Sequence, residues 1–344
     1  MTGPVASLNT AWFAWIGLLW TGYFVLEGFD FGVGVLSLPL GRDDLDRRLC
    51  RNAIGPFWDG NEVWLIVAAG ATFAAFPVWY ASMFSGFYLA LFIVLVALIV
   101  RGVSFEFRGK RDSARWRAGW DVALAVTSLV PAFGWGLAFT DLVHGLPLSS
   151  AGLYLGSFGG LLAPVAIVGG LASLTVFLAL KTAGPLAVRA RRAAAWLSPL
   201  GGALVAGTAV WLEVSGSHGP GGLGGTVPVV LAIAAALVFA ASGPLAAAGR
   251  AGLAFGLTAL GIVALTAAVF TALFPRVMVS SGPGPALTIW SAASAHQTLL
   301  VMTVVAAIFV PLVLAYQGWS YWVFRQRLTR PAEAPAVPAP VPHK

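Results

Sequence analysis

Long apolar stretches separated by short polar intervals follow one another along almost the whole chain, at residues 8–38, 57–77, 80–102, 119–142, 152–181, 195–215, 226–248, 251–274 and 296–324. A helix needs about 20 mostly apolar residues to cross a bilayer, so the pattern predicts an all-α membrane protein with about nine transmembrane helices. The polar intervals carry a second regularity. Arg42, Arg47, Arg48 and Arg51 follow the first stretch, and Arg101, Arg108, Lys110, Arg111, Arg115 and Arg117 lie at and beyond the end of the third. Lys181, Arg189, Arg191 and Arg192 follow the fifth, Arg250 the seventh, and Arg325, Arg327, Arg330 and Lys344 the ninth. Cytoplasmic loops hold the excess of Lys and Arg. Nine spans with the amino terminus outside and the carboxyl terminus in the cytoplasm put nineteen of the twenty basic residues on that face, with only Arg276 opposite.

Composition agrees: 59% of the 344 residues are hydrophobic and 10% charged, against roughly 25% charged in soluble domains. The net charge of +7 does not indicate nucleic acid, because topology and anionic lipid account for basic residues beside membrane spans. No Lys or Arg precedes Arg42, so a basic signal-peptide region is missing and the first span is expected to be retained. The single cysteine, Cys50, falls in a cytoplasmic interval, which excludes an intrachain disulfide and a multi-cysteine metal site; no metal site is expected. Residues 331–344 are Pro/Ala-rich and read as a disordered cytoplasmic tail.

Ionisable residues inside spans are the informative ones, since each costs roughly 2.5–3.5 kcal/mol at mid-helix on insertion scales. They gather in the first half of the chain: Glu27 and Asp30 in the first span, Asp59 and Glu62 at the start of the second, Arg101 and Glu106 at the end of the third, and Asp121 at the start of the fourth. The i,i+3 spacing places Glu27 with Asp30, and Asp59 with Glu62, on common helix faces. Such stripes are protonated, paired or hydrated, and each of those states suits proton transfer. The ordinary alternative is that Asp59, Glu62 and Asp121 complement positive helix termini and that Arg101 is a membrane anchor. It does not reach Glu27 and Asp30, which lie far from a helix start.

Histidines are few, with His144 and His218 in outer loops, His296 near a span and His343 in the tail. Bis-histidine haem ligation is therefore not expected from this chain alone. Gly28 and Gly32, with Gly34, permit close helix approach. Trp79 and Tyr80, and Trp319, Tyr321 and Trp322, read as interfacial aromatic belts.

The acid-bearing segments are Gly28-Phe-Asp-Phe-Gly-Val-Gly34 and Trp58-Asp-Gly-Asn-Glu-Val-Trp-Leu65. With Phe84 to Tyr88, Arg101 to Arg108, Leu287 to Trp290 and Pro311 to Trp322, they resemble subunit II of the cytochrome bd quinol oxidases, essentially end to end. The resemblance implies two four-helix bundles plus a peripheral ninth helix. It divides the chain into residues 1–150, 151–275, an outer loop with the last helix at 276–330, and the tail. It implies pairing with a larger subunit I that binds two haems b and haem d and oxidises quinol, in a bacterial or archaeal cell membrane. This chain would then stabilise the assembly and line a cytoplasmic proton route. The matching candidates are Asp30, Asp59 and Arg101, with Trp58 in the same motif; Glu27, Glu62 and Glu106 complete the proton-route set, led by Asp59. A quinone held as a structural lipid is expected on the resemblance alone, and a small single-span subunit is left open. The competing readings are a proton-coupled or cation transporter, which the long uninterrupted third span disfavours although Pro164 and Gly169-Gly170 could break the fifth, and an inert assembly scaffold.

Overall fold

A computed structural model describes residues 7–145, 175–216, 224–280 and 286–330. The elements run α1 (Leu8–Leu40), α2 (Asp44–Ile54), α3 (Trp58–Ala75), α4 (Pro77–Gly86), α5 (Tyr88–Phe107), α6 (Ala114–His144), α7 (Thr175–Lys181), α8 (Pro185–Gly216), α9 (Thr226–Ala247), α10 (Ala251–Leu273), β1 (Arg276–Met278), β2 (Leu287–Thr288) and α11 (His296–Val323). Seven helices among the described residues are long and apolar enough to cross a membrane: α1, α5, α6, α8, α9, α10 and α11. The chain is therefore a multi-pass membrane protein. The expected second span corresponds to α3, whose 18 residues include Asp59, Asn61 and Glu62 in the first two turns, which lowers its apolar average. Of the expected fifth span only Thr175–Lys181 is described; Pro164, Gly169 and Gly170 lie outside the described residues.

The structure corrects several expectations. The third span is not one uninterrupted helix over 80–102. The chain leaves helical geometry at Phe87 (φ −99°, ψ 18°) and divides into α4 and α5. Gly86 lowers the cost of leaving the helix there, and the Phe87 ring is buried at the break. The first basic interval is not a bare loop but holds α2, whose amino end is capped by the Asp43 carboxylate accepting from the Asp46 N–H at 2.8 Å. Asp44 and Asp46 in its first turn complement the helix dipole. Trp79 is not interfacial but packed in the core, 1% exposed, with its ring 6.2 Å from that of Phe13. The outer segment after α10 is not simply a loop, since β1 and β2 pair antiparallel within it.

α1 packs against α3, α6 and α10; α5 packs on α6; α8, α9 and α10 pack successively on one another. The last group closes tightly because its contacts are small: a Cβ on Gly202 would lie 2.5 Å from the Ala236 carbonyl, and one on Gly243 would lie 2.8 Å from Pro199 Cδ. Between α1 and α6 the core is aromatic, with Trp20 edge-on to Trp135 and Phe139 at 4.9 and 5.0 Å. α11 lies at the periphery, with Leu299 its one buried residue.

Hydrogen bonds gather the helix ends into two sets. Asn9 donates to the Ile289 carbonyl, Ser294 to that of Ala75 and Val279 to that of Leu142. At the opposite end Arg189 donates to the Leu40 carbonyl, Leu328 to that of Lys181, and Arg330 to Asp43 and Asp46. The described arginines of α2, of the α5–α6 connection and of the start of α8 therefore share one end with Lys181 and the segment after α11, while Arg276 sits with the first set.

Candidate functional site

The acids and Arg101 converge in the interior. Glu27, Asp30 and Arg101 are each 0% exposed. Arg101 Nη1 approaches Glu27 Oε1 to 2.5 Å and Glu62 Oε2 to 3.8 Å, Glu62 keeping 22% side-chain exposure. The guanidinium carbon lies 5.0 Å from the Phe31 ring centre and 5.8 Å from that of Phe105, so aromatic faces supply part of the stabilisation that water would otherwise give. The pair is close but not aligned for hydrogen bonding. Both Glu27 oxygens, all three Arg101 nitrogens and Asp30 Oδ1 are buried without a hydrogen-bond partner. Buried polar atoms of this kind are where internal water is held.

Asp30 Oδ2 accepts from Asn61 Nδ2 at 2.8 Å. Asn61 also donates to the Leu26 carbonyl at 3.2 Å and accepts from Tyr321 Oη at 2.8 Å and Gln317 Nε2 at 3.2 Å, while Gln317 Oε1 accepts from Trp64 Nε1 at 2.7 Å. Tyr23, one turn before Glu27 and fully buried, accepts from Trp135 Nε1 at 3.0 Å. Sequence reasoning missed Asn61, Gln317, Tyr321, Tyr23 and Trp135. Asn61 sits inside the quoted motif between two acids and Tyr23 at i,i+4 from Glu27, which were the available signals. Tyr321 is not a belt residue: its ring stacks on Phe57 at 4.4 Å with planes 4° apart and its hydroxyl points inward.

Asp59 and Glu106 are not brought into this cluster. Both are exposed, Asp59 on the wall of a groove of about 520 Å³ between α3 and α11. Trp58 stacks on Phe105 at 4.9 Å, planes 8° apart, beside Gly102. Gly28, Gly32 and Gly34 are all buried in α1. At Gly34 a Cβ would meet Ser128 Oγ of α6 at 2.1 Å.

Two further charge clusters cover the arginine-rich end. Asp121, 2% exposed, takes Arg51 Nη1 at 2.5 Å and Arg108 Nε at 2.6 Å on one oxygen. On the other it takes Arg108 Nη2 at 3.0 Å, with Arg47 at 3.6 Å. Asp46 takes Arg189 and Arg330. Burial first, then the neighbouring Arg108 charge, push Arg51 down to about 10, Asp121 opposing. Burial, then the Asp46 charge, push Cys50 up to about 12, so this thiol stays protonated and unreactive. The Asp46 backbone N–H, then Arg330, hold Asp43 below the usual carboxylate range.

Among the described residues no group of three or more His, Cys, Asp or Glu is placed to hold a metal. Of the two described histidines, His144 ends α6 rather than lying in a loop and stacks on Trp211 at 5.1 Å, while His296 is exposed on the first turn of α11. These residues do not fit the facing imidazoles of a bis-histidine haem.

Comparison with known proteins adds an independent line. Residues 8–324 match the family model described as cytochrome bd terminal oxidase subunit II. The cytochrome bd ubiquinol oxidase subunit 2 of Bacillus subtilis is 39% identical over 94% of this chain and 98% of its own length. The cytochrome bd-I ubiquinol oxidase subunit 2 of Escherichia coli K12 is 36% identical over 94% and 96%. The solved bd oxidase from Geobacillus thermodenitrificans contains a chain with the same fold, with a TM-score of 0.67 at 17% identity over 92% of this chain and 98% of that one.

Proposed function

The chain belongs to the family of cytochrome bd terminal oxidase subunit II, and from that premise we propose that it carries protons from the cytoplasmic face toward the oxygen-reducing site. It is a subunit of an oxidase complex, partnered by a subunit I, and the complex contains haem. The haems, two b and one d, belong to that larger partner, a reading supported by the surroundings of His144 and His296. The complex oxidises quinol and reduces oxygen to water in a bacterial or archaeal cell membrane. A small single-span subunit can join without altering this division of labour. The full architecture is nine spans in two four-helix bundles plus peripheral α11, amino terminus outside; the shared end of the described arginines supports it.

One observation supports the proton route: Glu27, Asp30 and Arg101 are fully buried with polar atoms that lack a hydrogen-bond partner, and Glu62, 3.8 Å from Arg101, keeps 22% of its side chain exposed. One guanidinium facing Glu27, Asp30 and Glu62 leaves an excess of negative charge if every acid is ionised. In a low dielectric such an excess is costly, so the cluster holds protons and exchanges them through Glu62. Glu106 at the exposed end of α5 collects protons, and Asp59, on the exposed face of α3, passes them to the partner. A quinone held as a structural lipid fits the α3–α11 groove, walled by Val63, Val67, Val310 and Val313 with Asn61 and Gln317 at its polar end. Membership of this family sets aside the transporter reading.

The test is to tag this chain, purify it gently from its native membrane and record the reduced-minus-oxidised spectrum with the co-purifying chains. Haem b and d bands accompanied by a larger subunit, and missing when this chain is expressed alone, are expected. Haem bands from this chain alone would refute the division of labour.

A further inference from the structure

Asn61 uses its whole hydrogen-bonding capacity. Both amide hydrogens are donated, to Asp30 Oδ2 and the Leu26 carbonyl, and its oxygen accepts from Tyr321 and Gln317. Two donors and two acceptor positions are all an amide has. Its orientation is fixed from outside. Trp64 Nε1 donates to Gln317 Oε1, which turns the Gln317 amide nitrogen toward Asn61, and the Tyr321 ring is held flat on Phe57. A flipped Asn61 would set nitrogen against the Gln317 nitrogen and oxygen against the Leu26 carbonyl, two repulsive contacts in a buried site.

Gln317 and Tyr321 are i,i+4 neighbours on one face of α11, a helix otherwise packed so lightly that Leu299 is its one buried residue. The consequence falls on Asp30. Its Oδ2 receives an N–H from Asn61, while Oδ1 has no hydrogen-bond partner. We infer that the peripheral helix, through Gln317 and Tyr321 acting on Asn61, fixes Oδ1 as the Asp30 oxygen that carries the proton and directs it into the buried cluster. The charged and titratable groups around Asp30 are Glu27 on α1, Glu62 on α3, Arg101 on α5 and Tyr321 on α11, and the neutral Asn61 amide on α3 is its hydrogen-bond donor. Gln317 and Tyr321 are positioning residues: they act through Asn61 and touch no proton in transit. This inference rests on the proton-route reading and extends it to one atom.

Infrared difference spectra of the whole oxidase complex test it. The carboxylic-acid C=O band of Asp30 is assigned as the one lost in Asp30→Asn. In wild type that carbonyl is Oδ2, lowered in frequency by the Asn61 donor. In the Gln317→Leu/Tyr321→Phe double variant Asn61 is free to turn, so the band moves to higher frequency and turnover falls roughly 2- to 10-fold, the worth of one net hydrogen bond. Leu312→Ala, exposed on the same helix, leaves band and turnover at wild-type values. A band unmoved in the double variant, or no band assignable to Asp30, overturns the inference. Full turnover in Asp30→Asn would instead overturn the proton-route reading, while the band position still judges the role of α11.

Discussion

Replacing Arg101 by Met removes the one cation of the buried cluster while keeping an unbranched apolar stem between Phe31 and Phe105. At 2.5 Å from Glu27, the attraction is about 7 kcal/mol with an effective dielectric of about 20. Glu62 at 3.8 Å adds less, because its partial exposure screens it. Desolvation of both ions offsets much of this. The observable cost is that of stranding a buried charge, about 3–5 kcal/mol when one partner is removed. Expressed in the unfolding barrier, even the lower figure shortens the thermal-inactivation half-life of the complex roughly 100-fold. The assay is loss of the haem absorption of the assembled complex on incubation at fixed temperature, which does not depend on turnover. Glu27→Gln combined with Arg101→Met removes both charges and recovers most of the loss, because neutralising the pair costs far less than breaking it. An Arg101→Met complex as long-lived as wild type, or a double variant no better than the single one, would refute the pairing.

Further outcomes follow from other contacts. Gly34→Ala places a methyl 2.1 Å from Ser128 Oγ; overpacking of about 1–3 kcal/mol lowers the yield of assembled complex, and Ser128→Gly restores it. Asp121→Asn leaves Arg51 and Arg108 facing each other without their shared carboxylate and costs about 3–5 kcal/mol, read as a shortened inactivation half-life. Asp43 lies below its unfolded value in the folded chain, so its contribution is complete above the unfolded value of about 4 and is lost as pH falls through the folded one. The protection of residues 324–330 against hydrogen exchange, taken relative to the intrinsic rate at each pH, therefore falls on acidification, whereas Arg330→Ala shows low protection already at neutral pH.

The membrane class was legible because bilayer thickness and the bias of basic residues act on sequence directly: the arginines of α2, of the α5–α6 connection and of the start of α8 share one end, whereas Arg101, placed on the same face by the pattern, lies buried in the interior. The burial of Glu27 and Asp30 was legible for the same reason, as neither could serve as a helix cap. Partner choice was not. Asp59 and Glu62 are three residues apart, yet Glu62 reaches Arg101 while Asp59 faces the groove beside α11, and only the packing of α11 on α3 distinguishes them. The break at Phe87 and the helix α2 escaped notice because apolar run length does not register a local turn and a charged interval does not register a short amphipathic helix. Asn61, Gln317 and Tyr321 were hidden as polar members of apolar runs, their meaning arising where two helices distant in sequence meet.

The central claim is that the buried cluster delivers protons. Its most direct measurement is the rate of proton uptake on oxygen addition to the reduced complex, in wild type and Asp30→Asn, with the haem spectrum as a check on assembly. The account predicts an intact spectrum with uptake slowed on the order of 100-fold, the loss of one positioned proton-transfer group. Uptake at the wild-type rate in an Asp30→Asn complex with intact haems would contradict it.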